Sequence, residues 1–241
     1  MDIRNFNQKG REKETQRLIG KVLSPAVKLF LRSQVEKVSH LEVKISGGDR
    51  QILSGSIPNV SISASQAVYQ GLHLSQLQLA AEGIRTNLGQ VIKGQPLRLL
   101  EPVPVFAELI LQESDLNASL QAPLLSNALT DLLKTLFPES CLVGRQSSWL
   151  KIAIATNQLI IHATVVDENN RSIPVVIRTG VDLASCREIQ LTQPQIQTQT
   201  GLPWAEVDSF KLDLGSEVAI EELFLDAGQL VCRGRINVVP A

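Results

Sequence analysis

The apolar residues of this chain recur with two different periods, and that switch constrains the fold more than any single motif does. From Leu41 onward, Leu, Ile and Val alternate with polar residues, as in Leu41, Val43 and Ile45, which is the period of a half-buried strand. Two segments break the pattern and repeat at three and four residues, the period of an amphipathic helix. A chain ordered as helix, strands, helix, strands is expected to fold as α+β with a large antiparallel sheet. Its apolar surface is aliphatic, since 44% of the 241 residues are hydrophobic and only 4% are aromatic. Such walls suit hydrocarbon, so the chain is expected to hold something greasy rather than to transform something polar.

The first helical segment is expected over about residues 12–36, behind a flexible basic tail at residues 1–11. Leu18, Ile19, Val22, Leu23, Ala26, Val27, Leu29 and Phe30 share one broad face. Arg17, Lys21, Lys28 and Arg32 fall together on the other side, so the helix is greasy on one face and cationic on its opposite. Pro25 is expected to kink or split it, because proline removes a backbone donor and crowds the preceding turn. A second helix is expected over about residues 114–137, capped by Ser114, bent by Pro123 and stopped by Pro138. Leu116, Leu120, Leu124, Leu125, Ala128, Leu129, Leu132, Leu133, Leu136 and Phe137 give it more leucine than a simple sheet contact requires.

Between and after these helices the period is two. Gly47-Gly48-Asp49 reads as a hairpin turn, after which Ile52, Leu53, Ile57, Val60 and Ile62 continue the strand pattern. Leu72, Leu74, Leu77 and Leu79 slip from even to odd spacing, which predicts a bulge between Leu74 and Leu77. Further strands are expected at 84–88, 97–100 and 105–111. Beyond Gly144 they are expected at 149–155, 159–165, 175–183, 189–195, 210–214, 218–225 and 230–239.

No constellation for catalysis or metal binding stands out. His40, His73 and His162 lie far apart, each within or beside a strand, and no GxSxG, HExxH, P-loop or GxGxxG occurs in a supporting context. Glu113 with Asp115, Asp167 with Glu168 and Glu221 with Glu222 could host acid and base catalysis, but capping or solvated turns explain them better. Cys141, Cys186 and Cys232 are odd in number and lack CxxC spacing, so they read as small buried hydrophobes. No metal and no cofactor beyond a bound phospholipid or fatty acid is expected.

A net charge of -1 excludes a nucleic-acid partner on average, yet residues 1–40 carry nine Lys or Arg against four Asp or Glu. Lys and Arg near an anionic bilayer each contribute about 1 kcal/mol, so Arg17, Lys21, Lys28 and Arg32 are candidate membrane or headgroup contacts as well as an ordinary solvated face. Leu202 and Trp204, in the loop Gly201-Leu202-Pro203-Trp204, are either a local core plug or a tip that dips into the interface. The first residues contain no apolar leader and the greasiest stretch, 22–31, is too short to span a bilayer. A cytoplasmic protein, peripheral on the cytoplasmic face of a membrane, is the expectation.

The order of Gly55-Ser56-Ile57-Pro58-Asn59-Val60-Ser61-Ile62, Gly71-Leu72-His73-Leu74-Ser75-Gln76-Leu77-Gln78-Leu79, Leu111-Gln112-Glu113-Ser114-Asp115-Leu116-Asn117 and Gly228-Gln229-Leu230-Val231, running on to Gly234 and Pro240, resembles the LmeA-like phospholipid-binding family over about residues 15–240. The resemblance implies a tubular lipid-binding architecture like that of the bactericidal/permeability-increasing proteins: a strongly curved antiparallel sheet wrapped around long amphipathic helices, enclosing a groove for acyl chains. It brings no catalytic residues. The family includes an exported mycobacterial member, whereas the basic amino end here favours a cytoplasm-facing carrier or membrane-associated adaptor.

The expectation is therefore one lipid-binding domain over residues 12–241, non-enzymatic, with a phospholipid or other acyl lipid as partner. Val22, Leu23, Val27, Phe30, Leu120, Leu129, Leu132, Leu133 and Phe137 are the candidate groove lining, and each of them alone also reads as ordinary core. The competing reading is a protein-interaction module that uses the same apolar face without taking up lipid. A lipid hydrolase lacks any nominable nucleophile, base and orienting group.

Overall fold

The structure, a computed structural model, describes residues 24, 27–29, 31–33, 35–91, 94–136, 148–166, 171–198 and 209–240. It is mostly antiparallel β. Strands β1 (Lys37–Ser46), β2 (Ser56–Tyr69), β3 (Leu72–Arg85) and β4 (Val103–Gln112) form an antiparallel meander. Two carboxy-terminal strands, β10 (Val218–Asp226) and β11 (Gln229–Val238), complete a six-stranded sheet in the order β1-β2-β3-β4-β11-β10. The remaining strands, β5 (Ser148–Ala155), β6 (Gln158–Val166), β7 (Ser172–Ser185), β8 (Glu188–Thr198) and β9 (Ser209–Asp213), form a second sheet in sequence order. The expectation of one large sheet is thus corrected to two, and neither closes into a barrel.

The junction between the sheets is made by backbone. An edge strand leaves N–H and C=O groups unpaired, and here the turns of the second sheet take them up. Gly228 N–H donates to the Ile154 carbonyl at 2.9 Å, Asn157 N–H to Leu225 at 3.2 Å and Ile220 N–H to Cys186 at 2.6 Å. The β5–β6 and β7–β8 turns thereby abut β10. Ile154, Val181 and Leu225 bury themselves at this seam, with Leu223 and Leu230 packed alongside.

The helices are short, and the expected long amphipathic helices are not found among the described residues. Of the segment expected at 12–36, the described residues 24, 27–29 and 31–33 are helical, and β1 has begun by Lys37. Gly47-Gly48-Asp49 leads into a five-residue helix, α1 (Asp49–Leu53), where a hairpin was expected, and α2 (Leu88–Val91) is a single turn. The second expected helix is two: α3 (Glu113–Ala118) and α4 (Pro123–Leu136). The break has a local cause. The Ser119 hydroxyl donates back to the Asp115 carbonyl at 2.6 Å and ends α3, while Pro123 opens α4 at the first helical position, where its missing N–H costs nothing. The amino-terminal cap of α3 is Gln112, not Ser114, with Asp115 accepting the Gln112 N–H at 2.8 Å. The expected bulge between Leu74 and Leu77 is also absent, since β2 and β3 keep one register through Ala67↔Leu74 and Ala64↔Leu77.

α4 buries Leu129, Leu132, Leu133 and Leu136, spaced three, one and three residues apart, against Ile152, Ile161, Val165, Val175 and Ile177 of the second sheet. That core is tight: Leu136 and Ile177 are fully buried. The six-stranded sheet has a smaller core of Ile57, Ile84 and Val103 at one end.

Candidate functional site

Strand register places three rows of side chains on one face of the six-stranded sheet. They run Leu41–Ala64–Leu77–Leu109–Cys232, Val43–Ile62–Leu79–Ala107–Gly234 and Ile45–Val60–Ala81–Val105–Ile236. All fifteen positions are apolar or small. The neighbouring row on the other face is Glu42–Ser63–Gln78–Glu108–Arg233, as the alternation of a strand requires. There Arg233 spans β4 and β10, 3.1 Å from Glu108 and 2.7 Å from Glu222, and its hydrogen bonds to Glu222 and then Glu108 push its pKa up.

Among the described residues the apolar face is only partly covered. In the second sheet Ile152, Ile161 and Val175 are exposed by 3% or less under α4. Residues of the same kind in the three rows, such as Val43, Ile62, Leu79 and Val105, are half-buried, and Ile236 is 39% exposed. A cavity of about 290 Å³ lies on this face, lined by Leu31 of the helical stretch together with Val60, Ile62, Leu79, Ala81, Val105 and Ile236. A second, of about 180 Å³, lies between α3, α4 and the second sheet, lined by Leu116, Leu125, Leu129, Leu132, Ile161, Leu191, Phe210 and Leu230 among others. Among the described residues, every one that lines either cavity is apolar. Leu230 and Ile236 share a face of β11, six residues and therefore roughly 20 Å apart, with Cys232 and Gly234 between them. One strand thus links the two cavities through small or apolar side chains.

At its other margin the sheet turns polar. Beyond Leu41 and Ala64 lie Ser39 and Gln66, then Lys37 opposite Val68 and Val68 opposite His73. These residues, with Ala67, Leu74 and Asp115 of α3, enclose a pocket of about 220 Å³. Gln66 has φ of +48°, a left-handed conformation that costs a non-glycine residue about 1–2 kcal/mol. Asp115 is fixed through Oδ2, which accepts the Ser75 hydroxyl and the Gln112 N–H. α3 itself is tied to β5 by Asn117, whose amide donates to Ile152 O at 2.7 Å and accepts from Ile152 N–H at 2.9 Å.

The residues singled out in the sequence are placed as follows. Leu129 and Leu132 come together in the smaller cavity, while Leu120 and Leu133 are buried in the core beside it. Val27 and Lys28 are half-buried and Arg32 is exposed. Arg17, Lys21, Val22, Leu23, Phe30, Phe137, Leu202 and Trp204 lie outside the described residues, as do Cys141, the pair Asp167 with Glu168 and the tail at 1–11. The strand residues of the apolar rows were not singled out, although their alternation across successive strands was the available signal.

Among the described residues no group of His, Cys, Asp or Glu is arranged to hold a metal ion, and no helix is long and apolar enough to cross a membrane. Glu113 accepts the Ile154 N–H at 3.0 Å and lies 3.7 Å from Lys151, and Glu221 pairs with Arg235 at 3.1 Å. Cys186 is exposed at the β7–β8 turn, correcting its reading as buried, because its backbone rather than its side chain serves the sheet junction. Cys232 is half-buried on the apolar face, and burial pushes its thiol pKa up.

Compared with known proteins, residues 14–235 match the family described as LmeA-like phospholipid-binding. No curated protein and no solved structure matches the chain.

Proposed function

Since the chain belongs to the LmeA-like phospholipid-binding family, we propose that it binds a phospholipid non-enzymatically, with the acyl chains laid along the apolar rows of the six-stranded sheet. The observation that carries this reading is the contrast in cover: Ile152, Ile161 and Val175 of the second sheet are almost fully buried under α4, whereas the equally aliphatic rows of the first sheet are, among the described residues, largely half-covered beside a cavity. An aliphatic wall without polar groups favours hydrocarbon by about 0.8 kcal/mol per methylene and makes no further demand on chain identity. Leu129 and Leu132 extend the lining into the smaller cavity. In this reading Val22, Leu23, Val27, Phe30 and Phe137 complete the lining, Leu120 and Leu133 back it from the core, and the enclosure is tubular, of the bactericidal/permeability-increasing type.

The protein then acts as a lipid carrier or a membrane-associated adaptor at a cytoplasmic surface. Arg17, Lys21, Lys28 and Arg32 approach anionic headgroups, and Leu202 and Trp204 enter the interface. Native mass spectrometry of the full chain purified without detergent, followed by lipid extraction, tests this. A stoichiometric phospholipid is the expected result. Protein of bare mass that takes up no added lipid and still captures a protein partner would replace the reading with that of an interaction module.

A further inference from the structure

Resting on the lipid-binding reading, we infer that the polar pocket formed by Lys37, Ser39, Gln66, His73 and Asp115 is the headgroup site, and that it selects a lipid whose headgroup carries hydroxyl groups. Its position follows from register. It begins where the row Leu41–Ala64–Leu77 ends, with Ser39, Gln66 and Ser75 at the next inward positions of the same three strands. A lipid whose chains lie on the rows presents its polar end here.

The chemistry of the lining selects among headgroups. Oδ2 of Asp115 accepts from Ser75 and the Gln112 N–H, and among the described residues no hydrogen bond reaches Oδ1, which is open to a donor from a ligand or from solvent. Lys37 supplies donors and has no ion-pair partner among the described residues. Ser39 and Gln66, 3.5 Å apart, each offer both a donor and an acceptor. One cation and one carboxylate cancel, and among the described residues no arginine lines the pocket to grip a phosphate with two parallel bonds. A hydroxyl group, which both gives and accepts, matches this set. A trimethylammonium is attracted to the Asp115 carboxylate by its charge but donates no hydrogen bond to Asp115 or Gln66. The left-handed Gln66 fits the same role, since a non-glycine residue held at φ of +48° inside a strand puts its amide at the pocket against local preference. The hydroxyls can belong to a sugar on diacylglycerol or to the glycerol of phosphatidylglycerol.

The full chain is titrated with four lipids of identical acyl chains, each displacing a fluorescent phosphatidylcholine: a galactosyl diacylglycerol, phosphatidylglycerol, phosphatidylethanolamine and phosphatidylcholine. The expected result is that one or both hydroxyl-bearing lipids compete about tenfold better than phosphatidylcholine, the difference that one or two hydrogen bonds to charged groups make. Gln66→Gly, which relaxes the left-handed residue and therefore folds, and Lys37→Gln should each bring that ratio to within about twofold. Preference for the galactosyl lipid identifies a sugar. Preference for phosphatidylglycerol that Lys37→Gln abolishes identifies glycerol with its phosphate on Lys37. Equal competition by all four, a preference for phosphatidylethanolamine, or a ratio unchanged in both variants overturns the headgroup site while leaving acyl binding intact. Failure of every lipid to bind overturns the acyl groove and this site together.

Discussion

Ala81→Trp isolates the groove from the rest of the fold. Ala81 lies between Val60 and Val105 in the apolar rows and lines the larger cavity of about 290 Å³. At about 30 Å³ per water-sized group that space takes roughly ten methylenes. Transferring them from water is favourable by about 8 kcal/mol before association costs, which wild type and variant share. An indole at position 81 fills about half of this volume and displaces about five methylenes. If these find no other apolar wall, the net loss is about 4 kcal/mol, or close to a thousandfold in affinity. Ala80→Trp is the control, because residue 80 is exposed on the other face between Ser61 and Phe106. Affinity is read by displacement of a fluorescent phospholipid, and folding by thermal unfolding of each variant. Ala81→Trp should retain a cooperative transition and lose binding, and Ala80→Trp should retain both. A folded Ala81→Trp protein that binds like wild type, or an equal loss in Ala80→Trp, refutes the placement of the chains.

Other consequences are separate. Asn117→Ala removes two hydrogen bonds to the Ile152 backbone and one to Glu113 O, and should lower urea stability by about 2–3 kcal/mol; a change below 0.5 kcal/mol, on the order of a solvated surface site, would show that this tie is unimportant. Leu132→Ala, at a residue 1% exposed, should cost about 3–5 kcal/mol by the same measurement, and a smaller loss would mean that the α4 core collapses to fill the space. Cys186 should be alkylated before Cys232, because a thiol with a raised pKa yields its reactive thiolate only at higher pH, and peptide mapping should show Cys232 further protected by bound lipid. Equal labelling of Cys232 with and without lipid would place the lipid elsewhere. Glu222→Gln should change stability by less than about 1 kcal/mol, since the pair with Arg233 is largely solvated; a greater loss would make the outer face a structural element.

The strands of the second half were legible in the sequence because their turns are explicit. Thr156-Asn157 joins β5 to β6 with Asn157 at φ of +57°, and Ala227-Gly228 joins β10 to β11 with Gly228 at +81°. Ile52 and Leu53 were misread as strand because a run this short has no measurable period, and they fall in α1. The division into two sheets was hidden for a different reason. β4 pairs with β11, bringing Glu108 within 3.1 Å of Arg233 across 125 residues of chain, and no local pattern encodes that pairing. For the site, helical leucines drew attention because they are dense, and four of them, Leu116, Leu125, Leu129 and Leu132, do line a cavity. The strand positions carry an ordinary alternation that reads equally well as core, and only their incomplete cover distinguishes them. The polar pocket depends on Ser39, Gln66 and Asp115 meeting across three elements, which no spacing in the chain reveals.

The central claim, that acyl chains lie on the inner face of the six-stranded sheet, is tested most directly by photo-crosslinking. The full chain is loaded with a phospholipid carrying a diazirine near the end of one acyl chain, irradiated, and mapped by peptide mass spectrometry. The account predicts adducts concentrated in β2, β3, β4 and β11, at positions such as Ile62, Leu79, Val105 and Ile236. Adducts confined to the outward row at Ser63, Gln78 and Glu108, or an even scatter over the chain surface, would contradict it.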